Sequence, residues 1–159
     1  MPMSSSRWAA IAESRFSWER EALDWLRDRL PDQDPWRAWA NFEFVAEDGS
    51  INEVDLLVLA PAGLFLVEIK SRPGTVDGDP HTWIWTTDGR RTSVDNPLLL
   101  ADRKAKRLRA LLQKQRAFTT AHVTVPWIEP LVFLSATGLR CRLEGAARQR
   151  VHARGTPGA

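Results

Sequence analysis

The stretch from Ile51 to Lys70 constrains this chain more than any other part of it. Val, Leu, Ile and Phe dominate two runs, Ile51 to Ala60 and Leu64 to Lys70, and Pro61-Ala62-Gly63 separates them, the pattern of a β-hairpin. Successive side chains of a strand point to opposite faces. Ile51, Glu53, Asp55 and Leu57 therefore share one face of the first strand, and Leu64, Leu66, Glu68 and Lys70 share one of the second. Phe65, Val67 and Ile69 take the other face, which must be buried. Glu68 and Lys70 interrupt a strand that is otherwise apolar on both sides. An unpartnered charge is expensive to bury, so a metal ion with an adjacent carboxylate is expected to offset it.

Register decides whether Asp55 supplies that carboxylate. A two-residue Pro61-Ala62 turn pairing Ala60 with Gly63 sets Asp55 directly opposite Glu68. A slip of one residue, such as a bulge at Gly63, sends the two carboxylates to opposite faces. Two carboxylates with a backbone oxygen and water suit Mg²⁺ (or Mn²⁺), a hard cation that keeps several waters. Such an ion polarises a phosphodiester and activates water, and Lys70 orients the water or stabilises the developing charge. The competing reading is a cross-strand ion pair at a sheet edge, which contributes little.

The remaining elements read as alternating helix and strand. A first helix is expected from Ser17 to Leu30, capped by Ser17, with Trp18, Ala22, Trp25, Leu26 and Leu30 at helical spacing and Pro31 ending it. A strand spans Ala38 to Ala46. Short antiparallel strands fill Thr75 to Val94, broken at Gly78-Asp79-Pro80 and Asp88-Gly89. A second helix opens at Asp95-Asn96-Pro97, where Pro suits the first helical position, and runs to about Phe118. A last buried strand covers Pro130 to Ser135. Trp83 and Trp85, at alternate positions, are read as sheet packing.

Asn52-Glu53-Val54-Asp55, then Val67-Glu68-Ile69-Lys70-Ser71, then Gly74 and Trp83, then Asn96-Pro97-Leu98, resemble the nuclease-related domain (NERD) family in order and spacing. Asp55…Glu68-Ile69-Lys70 matches the PD-(D/E)xK pattern of that superfamily. The resemblance implies an α/β, restriction-endonuclease-like core: a central mixed sheet, with an antiparallel hairpin carrying the site, flanked by helices. It implies that Asp55 and Glu68 hold the metal and Lys70 assists. It also implies a glutamate near the start of the first helix, and Glu19 is the best match. On a wheel of about 100° per residue, Glu19 lies within the Trp18/Ala22/Leu23/Leu26/Leu30 face, whereas Glu21 lies far off it. The plainer role for Glu19 is an acid favoured by the helix dipole. The chain departs from the family where a Gln often follows the Asn-Pro pair, because Leu98-Leu99-Leu100 stands there.

Charge is distributed unevenly. The formal net charge is only +2, yet Arg103, Lys104, Lys106, Arg107, Arg109, Lys114 and Arg116 follow one another with no acid among them. Lys and Arg suffice for phosphate contacts, so Arg103, Lys104, Lys106, Arg107 and Lys114 are candidate nucleic-acid contacts; the bland alternative is a solvated helix face. The three His lie in separate segments without ligand spacing. Cys141, the one cysteine, excludes a disulfide framework or cysteine zinc cluster within the chain. No apolar run reaches the roughly 18 residues of a membrane span, the start has no signal-peptide pattern, and a cytoplasmic location is the default.

These readings lead to an expected Mg²⁺-dependent nuclease acting on DNA, in bacterial defence or DNA processing, with a homodimer in view. The alternative is a non-cleaving nucleic-acid-binding module of a larger protein, and the Arg-rich exit resembles the NERD-kinase proteins of BREX-type phage defence. Val67-Glu68-Ile69-Lys70 is not a kinase lysine motif, since no Gly-rich loop precedes it and neither His-Arg-Asp nor Asp-Phe-Gly follows. Residues 1–15 are expected as a flexible lead, 16–138 as the domain, and 139–159 as a basic linker-like tail with a further domain beyond.

Overall fold

The computed structural model describes residues 2–154. The hairpin forms as its alternation requires: β3 (Ile51–Ala60) and β4 (Gly63–Lys70) are antiparallel and pair Ala60 with Gly63. β1 (Trp8–Ala10), β2 (Arg37–Val45), β8 (Ile128–Leu134) and β10 (Val151–Ala153) complete a six-stranded sheet in the order β1-β2-β3-β4-β8-β10. The sheet is mixed. β2, β3 and β4 run antiparallel, whereas β1 joins β2, β8 joins β4 and β10 joins β8 in parallel.

A parallel β4–β8 pair needs a long crossover. That crossover holds β5 (Thr75–Gly78), β6 (Thr82–Thr87) and β7 (Arg90–Asp95), then α2 (Pro97–Gln113) and the short α3 (Arg116–Thr120). With β9 (Arg140–Cys141), strands β5–β7 build a second, four-stranded sheet. Trp83 and Trp85 are buried in it, so they pack the sheet. Gly74 and Gly78 lie at its close approaches: both have positive φ, and a Cβ on either would stand 2.3 Å from a β6 carbonyl oxygen.

The helices cover the two faces of the larger sheet. α1 (Ser17–Arg29) buries Ala22 and Leu23 against Ala38, Ala40, Leu56, Val58, Val67 and Ile69. α2 buries Ala101, Ala105 and Leu108 against Leu57, Leu64, Leu66 and Ile128. The start of α2 is fixed as its sequence suggests. The Leu98 N–H donates to Asn96 Oδ1 at 2.9 Å, Asn96 Nδ2 donates to the Pro80 carbonyl at 2.9 Å, and Pro97 opens the helix. The helix breaks at Lys114 rather than continuing to Phe118.

The structure also differs from the sequence reading in both terminal segments and at the start of α1. Residues 2–15 are not a loose lead: Met3 is fully buried beneath α1, and Trp8 enters the sheet as part of β1. Residues 139–154 are not a linker either. They carry β9, a 3₁₀ turn over Gly145–Arg148 and β10, and they bury Leu143, Ala147, Val151 and Ala153. The Gly-Thr-Pro-Gly-Ala end lies outside the described residues. Both segments use strands of three residues or fewer, too short to produce a readable period. Trp18, expected on the buried face of α1, is exposed and stacks on Phe16. It belongs to the first turn, where Ser17 is a helical residue rather than a cap and Phe16 holds the cap position.

If residues 2–15 belong to the fold, Met3→Ala should destabilise the domain by about 2–5 kcal/mol, as truncation of a buried core side chain does. A urea unfolding midpoint unchanged from wild type would show that this segment is not packed.

Candidate metal centre

The site lies where β3 and β4 part. Their ladder runs from Ala60↔Gly63 to Leu56↔Val67 and stops, so the next opposed residues are Asp55 and Glu68. Beyond that point β4 continues its pairing with β8, through Lys70. The Ile69 N–H, which has lost its β3 carbonyl partner, donates instead to Asp55 Oδ2 at 2.8 Å. One side-chain bond thus satisfies a backbone donor and holds the Asp55 carboxyl in the fork.

Glu68 is 8% exposed, and its Oε2 is buried without a hydrogen bond among the described residues. Two ammonium groups approach it: Lys104 Nζ lies 3.5 Å from Oε2 and Lys70 Nζ 3.7 Å from Oε1. Both are ion-pair contacts rather than hydrogen bonds. Burial and, next, the charge of Glu68 push the Asp55 carboxyl up to about 7, with Glu19 adding to the rise, while the Ile69 N–H and Lys104 oppose it. An Asp55 carboxyl raised by burial and by its neighbour's charge, beside a buried oxygen left unbonded, describes a centre short of positive charge.

Glu19 precedes Ala22 by three residues and Leu23 by four, so it projects on the helix stripe that α1 buries. Ser14 Oγ donates to its Oε2 at 2.8 Å. Glu19 and Asp55 line one cavity of about 500 Å³ with Glu13, Glu43 and Glu53. Glu53 is exposed and pairs directly across from Glu43, on the rim rather than in the fork. Among the described residues, no three His, Cys, Asp or Glu side chains converge closely enough to hold an ion by themselves. The donor set that fits is Asp55 and Glu68, with water completing the shell of a cation that retains several waters.

The five basic residues of the α2 region separate. Lys104 is buried beside Glu68, so its place is the carboxylate fork and not an exposed helix face. Helical geometry sets it there, since Lys104 follows Ala101 by three residues and precedes Leu108 by four on the packed stripe. Lys106 pairs with Asp102 at 2.8 Å, and Lys114 with Glu47 at 2.9 Å. Arg107 donates to Asn52 Oδ1 at 3.1 Å, with Asp48 3.9 Å away. Arg103 is exposed and has no ion-pair partner among the described residues. Sequence reasoning missed Arg72 altogether. It follows the site strand and lies over the Trp85 ring, 5.5 Å from its centroid. With Lys70 and Arg103 it lines a cavity of about 360 Å³ that also reaches Glu68.

The sheet order, the two covering helices and a forked hairpin with opposed carboxylates define an α/β domain of the restriction-endonuclease-like class. The nuclease-related domain model matches residues 14–135, and the chain belongs to that family. It is 46% identical over 142 residues to a probable kinase PglW of Streptomyces coelicolor; the match covers 89% of this chain and 9% of that protein. The chain thus spans about a tenth of its relative, which extends far beyond a domain of this size. No solved structure matches it. Among the described residues no helix is long and apolar enough to cross a membrane.

Two consequences can be measured without divalent metal. The Asp55 carboxyl lies above its unfolded value of 3.8, so between about pH 4 and 7 the folded protein binds the extra proton. Stability should therefore fall as pH rises through that window. Asp55→Asn should flatten this part of the urea-midpoint profile; a slope unchanged in the variant would remove Asp55 as its source. Lys104→Met should cost about 1–3 kcal/mol, less than the roughly 3–5 kcal/mol of a tightly bonded buried pair, because the contact is 3.5 Å and unbonded. Denaturant titration of the metal-free variant checks this.

Proposed function

We propose that this domain is a metal-dependent nuclease that hydrolyses phosphodiester bonds of DNA. The observation that carries the reading is the fork: Asp55 opposite Glu68, one carboxyl pushed to about 7 and the other with a buried unbonded oxygen. Membership of a nuclease-related family supports it. Asp55 and Glu68 are the residues that would hold Mg²⁺ or Mn²⁺, with Glu19 close enough to influence Asp55 and bind through water. A divalent ion bound there supplies Lewis-acid polarisation of a phosphoryl oxygen and lowers the pKa of water. Lys70, 44% exposed and beside Glu68, presents its ammonium to the phosphate and stabilises the charge that develops during displacement. Ile69 keeps Asp55 aimed through its N–H. The rigid parallel pairing of β4 with β8 fixes the height of Glu68 and Lys70.

A second reading is a non-cleaving, nucleic-acid-binding module within a larger protein, which this domain's small share of its kinase-named relative accommodates. The observation favouring it is Lys104, whose ammonium already stands 3.5 Å from Glu68 Oε2 and competes with a cation for that oxygen. A role in phage defence and a cytoplasmic setting belong to the same proposal.

The test is cleavage of supercoiled, linear and single-stranded DNA with Mg²⁺ or Mn²⁺, wild type beside Asp55→Ala and Lys70→Ala. The nuclease reading expects metal-dependent cutting that falls about a hundredfold or more in each variant, the scale seen when a group stabilising the transition state is removed. A folded wild type that shifts DNA in a salt-dependent way but never cuts it would instead establish the binding module.

A further inference from the structure

Two cavities reach the fork, and their charges are opposite. The one containing Asp55 is lined by Glu13, Glu19, Glu43 and Glu53, with Arg15 as its basic side chain. The one containing Glu68 is lined by Lys70, Arg72 and Arg103, with Asp95 the other carboxylate. A polyanion is repelled from the first and drawn to the second.

The basic cavity is also organised. Arg72 follows Lys70 by two residues as the chain leaves β4, and its guanidinium lies over the indole of Trp85, which is 3% exposed and fixed in β6. A buried ring beneath the guanidinium restrains it before any ligand arrives, so little side-chain entropy is left to lose. Arg103 approaches from α2. Among the described residues neither Arg72 nor Arg103 has a carboxylate within ion-pair distance, unlike Lys106 and Lys114 of the α2 region. The floor is the Asn96-Pro97 start of α2, which carries no acid in its first turn. Guanidinium groups present paired N–H donors that match phosphate oxygens.

We propose that the cavity lined by Lys70, Arg72, Arg103 and Trp85 is a phosphate subsite, holding the backbone phosphate that adjoins the one at the metal centre. This rests on the nucleic-acid reading above and adds the side on which the strand lies: over β4 and the β5–β7 sheet rather than over β2 and β3. It also names Arg72 and Arg103, rather than Lys106, Arg107 and Lys114, as the principal phosphate contacts.

The test reads binding in EDTA, so that it is independent of cutting. Fluorescein-labelled single-stranded and duplex DNA of about one helical turn or two would be titrated by anisotropy between 50 and 200 mM NaCl, a range over which phosphate contacts register strongly. Arg72→Ala/Arg103→Ala should weaken binding about tenfold or more, as loss of charge-assisted bonds does, and lower the salt slope by about two. Lys114→Ala/Arg116→Ala removes the same charge from exposed residues past the far end of α2 and should leave affinity within about twofold, since only general screening changes. Arg103→Ala alone, at an exposed and unpaired residue, keeps the test available if the Arg72 variant fails to fold. Equal losses in the cavity and Lys114/Arg116 variants, or none in the cavity variants, would overturn the subsite while leaving the nuclease reading standing. A folded wild type that binds no DNA would overturn both.

Discussion

The bond from the Ile69 N–H to Asp55 Oδ2 is the contact on which the site depends. A β-ladder satisfies its backbone donors continuously, so two strands cannot separate inside a domain unless something replaces the lost partners. Here the replacement is a side chain from the departing strand itself. β3 and β4 part directly after Leu56↔Val67 without leaving Ile69 unpaired, and the gap that opens is occupied by carboxylate rather than by packed aliphatic carbon. Glu68 is then held from the other side by the parallel ladder of β4 with β8. Two carboxylates, one from each arm of the fork, are fixed by backbone pairing rather than by long, mobile side chains.

This arrangement is electrostatically unfavourable by itself. Asp55 is raised chiefly by burial and by Glu68, Glu68 keeps an unbonded buried oxygen, and two lysines approach without closing hydrogen bonds. Lys104 is the more consequential of the two. It comes from α2, on the opposite side of the hairpin backbone from α1, and links the packing of that helix to the charge of the centre. Lys106, Arg107 and Lys114 reach acids at the surface, whereas among the described residues Arg103, Arg109 and Arg116 have no carboxylate within ion-pair distance, so a run that looks uniform in charge is not uniform in surroundings.

Much of the hairpin was legible because its signals are local. A two-residue turn with Gly63 after it sets the register, and strict alternation then decides which side chains oppose each other. The position of Glu19 on the packed stripe of α1 was legible for a similar reason, since helix periodicity sets it in line with Ala22 and Leu23. Trp18 was misplaced because a wheel knows direction but not where the underlying sheet ends. Lys104 was misread because charge suggested exposure, although its spacing from Ala101 and Leu108 already assigned it to the packed stripe. Arg72 was invisible because its significance arises from Trp85, a neighbour in space and not in sequence. The two terminal segments were missed because strands of two or three residues leave no periodic trace, and their burial is contributed by partners far along the chain.

The order β1-β2-β3-β4-β8-β10 places the first and last strands of the described residues at the two rims of the sheet. β1 shields part of the nine-residue β2, and β10 part of the seven-residue β8. Each shield is three residues long, too brief in itself to template pairing with another molecule. Stripping away either segment would therefore do more than loosen the core. It would bare a long, partly apolar strand with its hydrogen-bonding groups unpaired, turning a self-contained sheet into one prone to growing by adding copies of itself.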